Sequence, residues 1–196
     1  MRHAILIALI ILIASCEQPN STKMVIGTNL WLGYEPLHVA NEKEAFLGLN
    51  ITFIEYRSTS QVLNGLRKGT LDLAALTLDE AVRLKSQHVD VEVIWIFDFS
   101  NGADALVSSA EITSLDQLKG KRIGVEQGAL GAYFYERFLE ENQFTHDDFT
   151  MLSLEVNNHS QYLLNGQVDA VVTFEPEKSA VLNSGGHVLF NSKQNT

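Results

Sequence analysis

The stretch GKRIGVEQGALGAYF, residues 120–134, carries the pattern that decides the fold. Its short apolar and β-branched run at 122–125 predicts a strand. Gly128 and Gly131 then mark a turn, and the residues from 129 to 141 have the spacing of a helix. A strand that passes through a glycine turn into a helix is the first half of a βαβ unit, which builds parallel sheets.

The same alternation of strand and helix continues along the chain. Near-continuous apolar strands between helices favour an α/β fold with parallel sheets. The pattern predicts strands at residues 24–28, 50–56, 71–76, 91–97, 122–125, 149–155, 169–173 and 187–190. It predicts helices at residues 35–47, 60–68, 77–87, 129–141, 160–165 and 177–182. Residues 104–108 are predicted as an extended segment that crosses into the second half, and the run VEVIWIF at 91–97 is the strongest of the predicted strands.

The two halves of the sequence share an offset. Ile26-Gly27 and Ile123-Gly124 are 97 positions apart, and Leu66, Gly69 and Asp72 match Leu163, Gly166 and Asp169 at the same distance. Chance also produces a few such matches, since glycine-ended strands recur in α/β chains. We predict two similar lobes, lobe 1 at residues 24–103 and lobe 2 at residues 104–192, with a polar tail at 193–196.

The first residues are typical of a secretory signal. Residues 4–14 (AILIALIILIA) are continuously apolar after Arg2 and His3, and eleven helical residues span about 17 Å, less than a ~30 Å hydrocarbon core. Ile13-Ala14-Ser15-Cys16 resembles the lipobox of bacterial lipoproteins, which implies cleavage before Cys16 and a lipid on its sulfur. A plain signal peptide and a buried strand are the alternatives. We expect a signal at 1–15 and a tether at 16–23.

Composition excludes several functions. The 196 residues carry 14 Lys and Arg against 24 Asp and Glu, a net charge of −10. The sequence has no run of basic residues of the kind that binds nucleic acid. A single Cys excludes a disulfide scaffold and CxxC sites, and the six His lack metal-ligand spacing. The sequence has no GxSxG, P-loop, HExxH or GxGxxG motif. We therefore expect no enzyme activity, no cofactor and no metal.

The candidate binding residues follow predicted strands. Two α/β lobes would bring the carboxyl ends of their strands to a shared cleft, where ligands bind. Aromatic side chains offer flat apolar area, and the turn before the helix at 129 leaves N–H groups for an anion or a carbonyl oxygen. Each residue also has a structural explanation: Thr77 as a helix cap, Trp31 as core. The candidates are Asn29, Trp31, Tyr34, Thr77, Asp79, Asp98, Gly128, Ala129, Leu130 and Glu175.

Acidic residues are frequent near the expected cleft. They are Asp79, Asp98, Glu126, Glu155 and Glu175. Uncompensated carboxylates repel anions and favour an amine or a neutral hydrogen-bonding ring. The alternative is that these acids simply lie on exposed loops.

Five blocks resemble one family. They are GTNLWLGYEPLHVA (27–40), LTLDEA (76–81), DFSNGADALV (98–107), GKRIGVEQGALGAYF (120–134) and VDAVVTFEP (168–176). In this order they resemble the substrate-binding proteins of bacterial ABC importers, in the branch that binds nitrate, taurine, alkanesulfonates and thiamine-pyrimidine precursors. The resemblance implies a two-lobed periplasmic-binding-protein fold of the second type that closes on its ligand and docks on a permease. It places Trp31, Tyr34, Thr77, Asp79, Asp98, Ala129, Leu130 and Glu175 in blocks that line the cleft.

The chain is shorter than this family implies. Relatives continue with a strand that returns to the first lobe, so we expect the fold to be incomplete at its C-terminus. The expected function is extracytoplasmic solute binding without catalysis, by a monomer anchored through Cys16 and delivering a small polar molecule to an ABC permease in the inner membrane. A sensor module of the same fold is the alternative. An enzyme resembling thiamine-pyrimidine synthases is a weaker one, since the Cys-rich stretch of those enzymes is absent.

Overall fold

Two β-sheets with helices packed on them form the body of the chain. The computed structural model describes residues 23–195, so the predicted signal and Cys16 lie outside the described residues. The strands are β1 Met24–Asn29, β2 Ile51–Tyr56, β3 Leu73–Ala74, β4 Ala105–Ser108, β5 Arg122–Val125, β6 Thr150–Ser153, β7 Ala170–Thr173 and β8 His187–Asn191. The helices are α1 Glu35–Glu42, α2 Thr59–Arg67, α3 Leu78–Ser86, α4 Leu130–Glu141, α5 His159–Leu164 and α6 Glu177–Asn183.

The two sheets define two lobes. Lobe 1, built from β1–β3 and α1–α3, has a parallel sheet in the order β2-β1-β3. Lobe 2, built from β4–β8 and α4–α6, has a sheet in the order β6-β5-β7-β4-β8. Within it β6, β5 and β7 are parallel, whereas β4 runs antiparallel to β7 and β8. The predicted lobe boundary at residues 103 and 104 stays a prediction.

The lobes repeat the same hydrogen bonds at the predicted offset. In lobe 1 the N–H of Val25 donates to Asp72 Oδ2 at 2.7 Å, and the N–H of Asp72 donates to the Val25 carbonyl at 2.9 Å. In lobe 2 the N–H of Arg122 donates to Asp169 Oδ2 at 2.8 Å, and the N–H of Asp169 donates to the Arg122 carbonyl at 2.9 Å. The internal repeat predicted from the sequence is therefore present in individual contacts.

Two glycines close this repeated unit. Gly69 and Gly166 both have φ of 66°, in the left-handed region that residues with a Cβ rarely adopt. Gly69 lies between α2 and β3, and β3 pairs with β1. Gly166 lies between α5 and β7, and β7 pairs with β5. The glycine thus turns the chain from helix to sheet at the same place in both lobes.

An aromatic cluster forms the core of lobe 2. Phe138 on α4 is fully buried, and its ring centroid lies 5.6 Å from that of Phe144, 5.6 Å from that of Phe149 and 5.7 Å from that of Phe190. The helix therefore packs against one face of the sheet through ring contacts contributed by three separate segments. This packing holds α4 against the core of lobe 2.

The predicted strand at residues 91–97 is wrong. The structure gives this segment no regular secondary structure and leaves it exposed, with Trp95 72% exposed. The neighbouring edge of the lobe 1 sheet explains the difference, because β3 has only two residues with which a further strand could pair. Apolar, β-branched composition indicates a strand only where a sheet edge is available to receive it.

Other boundaries shift by smaller amounts. The predicted helix at 35–47 ends at Glu42, and turns follow to residue 49, with Glu44 at φ 58°. The strand predicted at 71–76 is reduced to Leu73–Ala74. The strand predicted at 149–155 is reduced to Thr150–Ser153. Among residues 23–195, the structure has no helix that is both long and apolar enough to cross a membrane.

The two aspartates of the repeat have different partners, so their removal should destabilise the folded chain to different degrees. Asp72 accepts one hydrogen bond from a backbone N–H, whereas Asp169 also binds the Arg122 guanidinium, with Oδ2 2.9 Å from Nε and Oδ1 3.0 Å from Nη2. This guanidinium lowers the pKa of Asp169. We expect Asp169→Ala to lower the melting temperature at pH 7 by more than Asp72→Ala does. Equal shifts for the two variants, measured by circular dichroism, would contradict this assignment.

Candidate functional site

A cavity of about 520 Å³ lies between the two lobes. Lobe 1 contributes the end of β1, the turn after it and the start of α3. Lobe 2 contributes the first turns of α4 and the residue after β7. The irregular segment at 91–100 lies along the opening. A volume of this size suits a small organic molecule.

Seven of the ten predicted ligand-binding residues line this cavity. They are Asn29, Trp31, Tyr34, Thr77, Asp79, Asp98 and Leu130. All but Asp98 stand at the carboxyl end of a strand or at the start of a helix, as parallel α/β lobes require. Their contact with a ligand stays a prediction.

Three predicted residues lie outside the lining. Gly128 turns the chain at φ 87° before α4, and Ala129 is buried just before that helix begins. The carboxylate of Glu175 accepts a hydrogen bond from the Ser179 N–H at 3.0 Å and lies 3.4 Å from Lys178 Nζ. These residues shape the turn and the first turn of α6 and do not face the cavity.

Glu80 lines the cavity as well, although the sequence pattern did not mark it as a candidate. Only 2% of it is exposed, and its two oxygens bind different lobes. Oε2 accepts the Thr77 N–H at 2.9 Å within lobe 1, and Oε1 accepts the Leu130 N–H at 2.9 Å at the start of α4 in lobe 2. The first N–H of α4, expected to be free for an anionic ligand, is thus taken by a carboxylate of the protein. The sequence contains Glu80 in the capping box T-L-D-E, and this motif by itself predicts only the start of a helix.

Glu126 makes the reverse contact. It belongs to lobe 2, and its Oε1 accepts hydrogen bonds from the Ser60 N–H at 2.9 Å and the Ser60 Oγ at 2.7 Å, in the first turn of α2 in lobe 1. Each lobe therefore places a buried carboxylate on the N-terminus of a helix in the other lobe. Negative charge is favourable at both helix ends, so the two contacts join the lobes at two points.

Burial raises the pKa of several ionisable groups in and beside the cavity. It raises the pKa of Glu80 to about 7, although the hydrogen bonds from Thr77 and Leu130 oppose the shift. Burial also raises the pKa of Glu126 and of Asp104, the latter against a hydrogen bond from Ser100 Oγ at 2.6 Å. The pKa of Tyr34 is raised by burial and by the surrounding carboxylates, so its hydroxyl keeps its proton.

Several polar groups in the lining have no partner. Asn29 and Tyr34 are each only 7% exposed, yet their side-chain polar atoms make no hydrogen bond to the part of the chain that is described. The carboxylates of Asp79 and Asp98 likewise form no hydrogen bond or ion pair with residues 23–195. Polar groups that line a cavity and have no partner in the protein are available to hydrogen-bond a polar ligand.

Aromatic rings complete the walls. Trp31 meets Phe174 edge to face across the lobes with centroids 5.6 Å apart, and Tyr34 meets Phe97 at 5.9 Å. Trp95 also lines the cavity, so both tryptophans of the chain lie there. Among the described residues, no group of three or more His, Cys, Asp or Glu is arranged to hold a metal ion.

The family described as NMT1/THI5 like matches residues 34–190, which is most of the chain and nearly all of the two lobes. The chain belongs to this family. A comparison with curated protein sequences finds no match.

Solved structures confirm the expected fold of this NMT1/THI5-like chain. The alkanesulfonate-binding protein SsuA from Xanthomonas axonopodis pv. citri, bound to MOPS, matches with a TM-score of 0.71 and 23% identity over 87% of this chain and 61% of its own. The periplasmic aliphatic sulphonate binding protein SsuA from Escherichia coli gives 0.67 and 18%, over 88% of this chain and 61% of its own. The zinc-bound ligand-binding component of an ABC-type import system from Staphylococcus aureus gives 0.72 and 10%, over 87% of this chain and 61% of its own.

These likenesses establish the two-lobed periplasmic-binding-protein fold of the second type. The chain spans about 61% of the length of these structures. The expected resemblance to ABC-importer binding proteins of this branch is confirmed.

The buried position of Glu80 predicts a pH effect on stability. Its folded pKa of about 7 lies above the ordinary value of 4.5. Proton uptake therefore stabilises the folded chain below about pH 4.5, and this stabilisation, of up to roughly 3 kcal/mol, is lost as pH rises through about 7. We expect Glu80→Gln, which cannot ionise, to gain stability relative to the wild type as pH rises from 5 to 8.

Urea denaturation at both pH values measures this difference. Glu111→Gln makes the same change at an exposed residue outside the cavity; it is the matched control and should follow the wild type. A stability difference between Glu80→Gln and wild type that stays constant from pH 5 to 8 would show that Glu80 does not titrate in this range.

Proposed function

We propose that this chain is the extracytoplasmic solute-binding component of an ABC importer. It captures a small molecule in the cavity between its lobes and presents it to a permease in the inner membrane. The observation that supports this most directly is the set of unpartnered polar groups, Asn29, Tyr34, Asp79 and Asp98, around a cavity that both lobes build. The solved structures that share the fold carry names of transport binding proteins.

The proposal involves no chemical step. A binding protein needs a site that encloses its ligand and two lobes whose relative position depends on that ligand. The crossed contacts of Glu80 and Glu126 join the lobes at two points. A ligand that touches both Trp31 and Leu130 adds to this attachment, so binding favours the closed form that a permease could recognise.

The proposal also includes attachment to the membrane through a lipid on Cys16. The support is the sequence Ile13-Ala14-Ser15-Cys16 after an apolar run, followed by a polar stretch at 17–23 that serves as a tether. The lobes then work as a monomer at the outer face of the membrane. A single acyl chain binds membranes only weakly, so stable anchoring requires more than one.

Intrinsic fluorescence tests the binding function. Both tryptophans line the cavity, so a ligand there changes the emission without any added label. We expect a saturable change for at least one member of a panel of pyrimidine, amine, sulfonate, nitrate and flavin compounds. Trp31→Ala should weaken binding of that compound by about tenfold or more, because it removes a buried aromatic contact.

The control for this experiment is Tyr162→Ala, an aromatic residue of lobe 2 that does not line the cavity. Its dissociation constant should equal that of the wild type. The proposed function is wrong if no compound of the panel alters either the fluorescence or the melting temperature, since a ligand at 100 times its Kd stabilises a fold by about 2.7 kcal/mol.

Lipid attachment has a separate test. Cells expressing the wild type and Cys16→Ser are fractionated after labelling with a radioactive fatty acid. We expect label and membrane association in the wild type and neither in the variant, because Cys16 is the sole cysteine of the sequence. Equal membrane association of the two proteins would overturn the anchor.

A further inference from the structure

The cavity lining is strongly acidic. Four carboxylates line it, those of Asp79, Glu80, Asp98 and Asp104. Among the lining residues that the structure describes, Arg137 is the one cation, and its guanidinium already binds Glu140 and Glu141 at 2.6 Å each. The field inside the cavity is therefore set by carboxylates.

A second cation, Lys178, acts on a carboxylate of the lining and is also engaged. Lys178 acts electrostatically on Asp104, but its Nζ lies 3.2 Å from the Gly102 carbonyl, 3.1 Å from the Ala103 carbonyl and 3.4 Å from Glu175. It is held at the base of α6 and does not line the cavity. Neither Arg137 nor Lys178 is therefore free to balance the charge of an anionic head group.

The helix N-terminus does not offer an anion site either. Backbone N–H groups at the start of a helix commonly bind sulfate, phosphate or carboxylate groups. In this chain the Leu130 N–H is bound by Glu80, and Glu80 is itself buried and acidic. A ligand anion at this point would have to displace a carboxylate and approach three others.

The remaining groups suit a positive charge. Asp79 and Asp98 have no partner in residues 23–195 and are free to bind one. Trp31, Tyr34, Trp95 and Phe97 supply aromatic rings in the same lining. Carboxylates combined with aromatic faces are the recognition elements of organic ammonium groups. Asn29 and Tyr34, each only 7% exposed, add hydrogen-bonding side chains for a neutral polar part of the same molecule.

We infer that the cavity binds a small organic cation, a protonated amine carried on a flat apolar body. This inference rests on the proposed function and specifies its ligand class. The charge contacts Asp79 and Asp98, and the apolar body lies against the Trp31 and Tyr34 rings. The sulfonates named for two of the similar structures have the opposite charge, so Glu80 and its acidic neighbours would set the charge preference of this chain.

A matched set of probes tests the charge preference. Benzylamine, benzyl alcohol and phenylmethanesulfonate share one ring and one methylene and differ in the charge of the head group. Calorimetric titration of the purified protein at pH 7.5 gives the three dissociation constants. We expect benzylamine to bind about 100-fold more tightly than the sulfonate, with the alcohol between them.

Two variants test whether the charge preference arises from the cavity. Asp79→Asn should weaken benzylamine binding by about tenfold and leave benzyl alcohol unchanged, since only the charge is removed. Asp147→Asn makes the same charge change on an exposed residue outside the cavity and should leave all three constants unchanged. Equal losses in both variants would indicate a general effect of net charge and would overturn the assignment to the cavity.

The outcomes separate this inference from the function on which it rests. If the sulfonate binds as tightly as the amine, the inference is wrong and the solute-binding function stands. If none of the three probes binds, the inference is also wrong, and the fluorescence panel decides whether the function survives.

Discussion

Two buried carboxylates join the lobes, and the cavity depends on them. Glu80 extends from lobe 1 to the first N–H of α4, and Glu126 extends from lobe 2 to the first turn of α2. Neither lobe alone encloses the site, because the ring of Trp31 comes from one and that of Phe174 from the other. Burial makes both carboxylates costly to ionise, so the attachment is stable only where helix N-termini compensate the charge.

The architecture within each lobe followed from local sequence signals. β-Branched runs at 24–28 and 122–125, glycine stops after helices and the offset of 97 positions predicted most elements and their repetition. The repeat is real at the level of single bonds, as Asp72 and Asp169 show. Such features depend on neighbours in sequence or on a pattern that occurs twice, so one sequence contains enough information to predict them.

Features that depend on distant parts of the fold could not be predicted. The apolar run at 91–97 has strand composition, but whether it pairs depends on the length of β3, which no local pattern reveals. Glu80 fits a capping box, and only the folded structure shows that its second oxygen binds Leu130. The position of a residue just after a predicted strand identified Trp31, Asp79 and five other lining residues. The same criterion also selected Gly128, Ala129 and Glu175, which do not line the cavity.

The distance between the lobes tests the central claim most directly. Spin labels at Leu47 in lobe 1 and Leu164 in lobe 2, both exposed, report that distance by pulsed electron paramagnetic resonance in a Cys16→Ser background. If the crossed carboxylates hold the lobes over the cavity, removing both of them changes the distance distribution of the ligand-free protein. The double variant Glu80→Ala/Glu126→Ala then gives a broader and longer one. Identical distributions in the two proteins would contradict the account, since the lobes would then be held by contacts other than these.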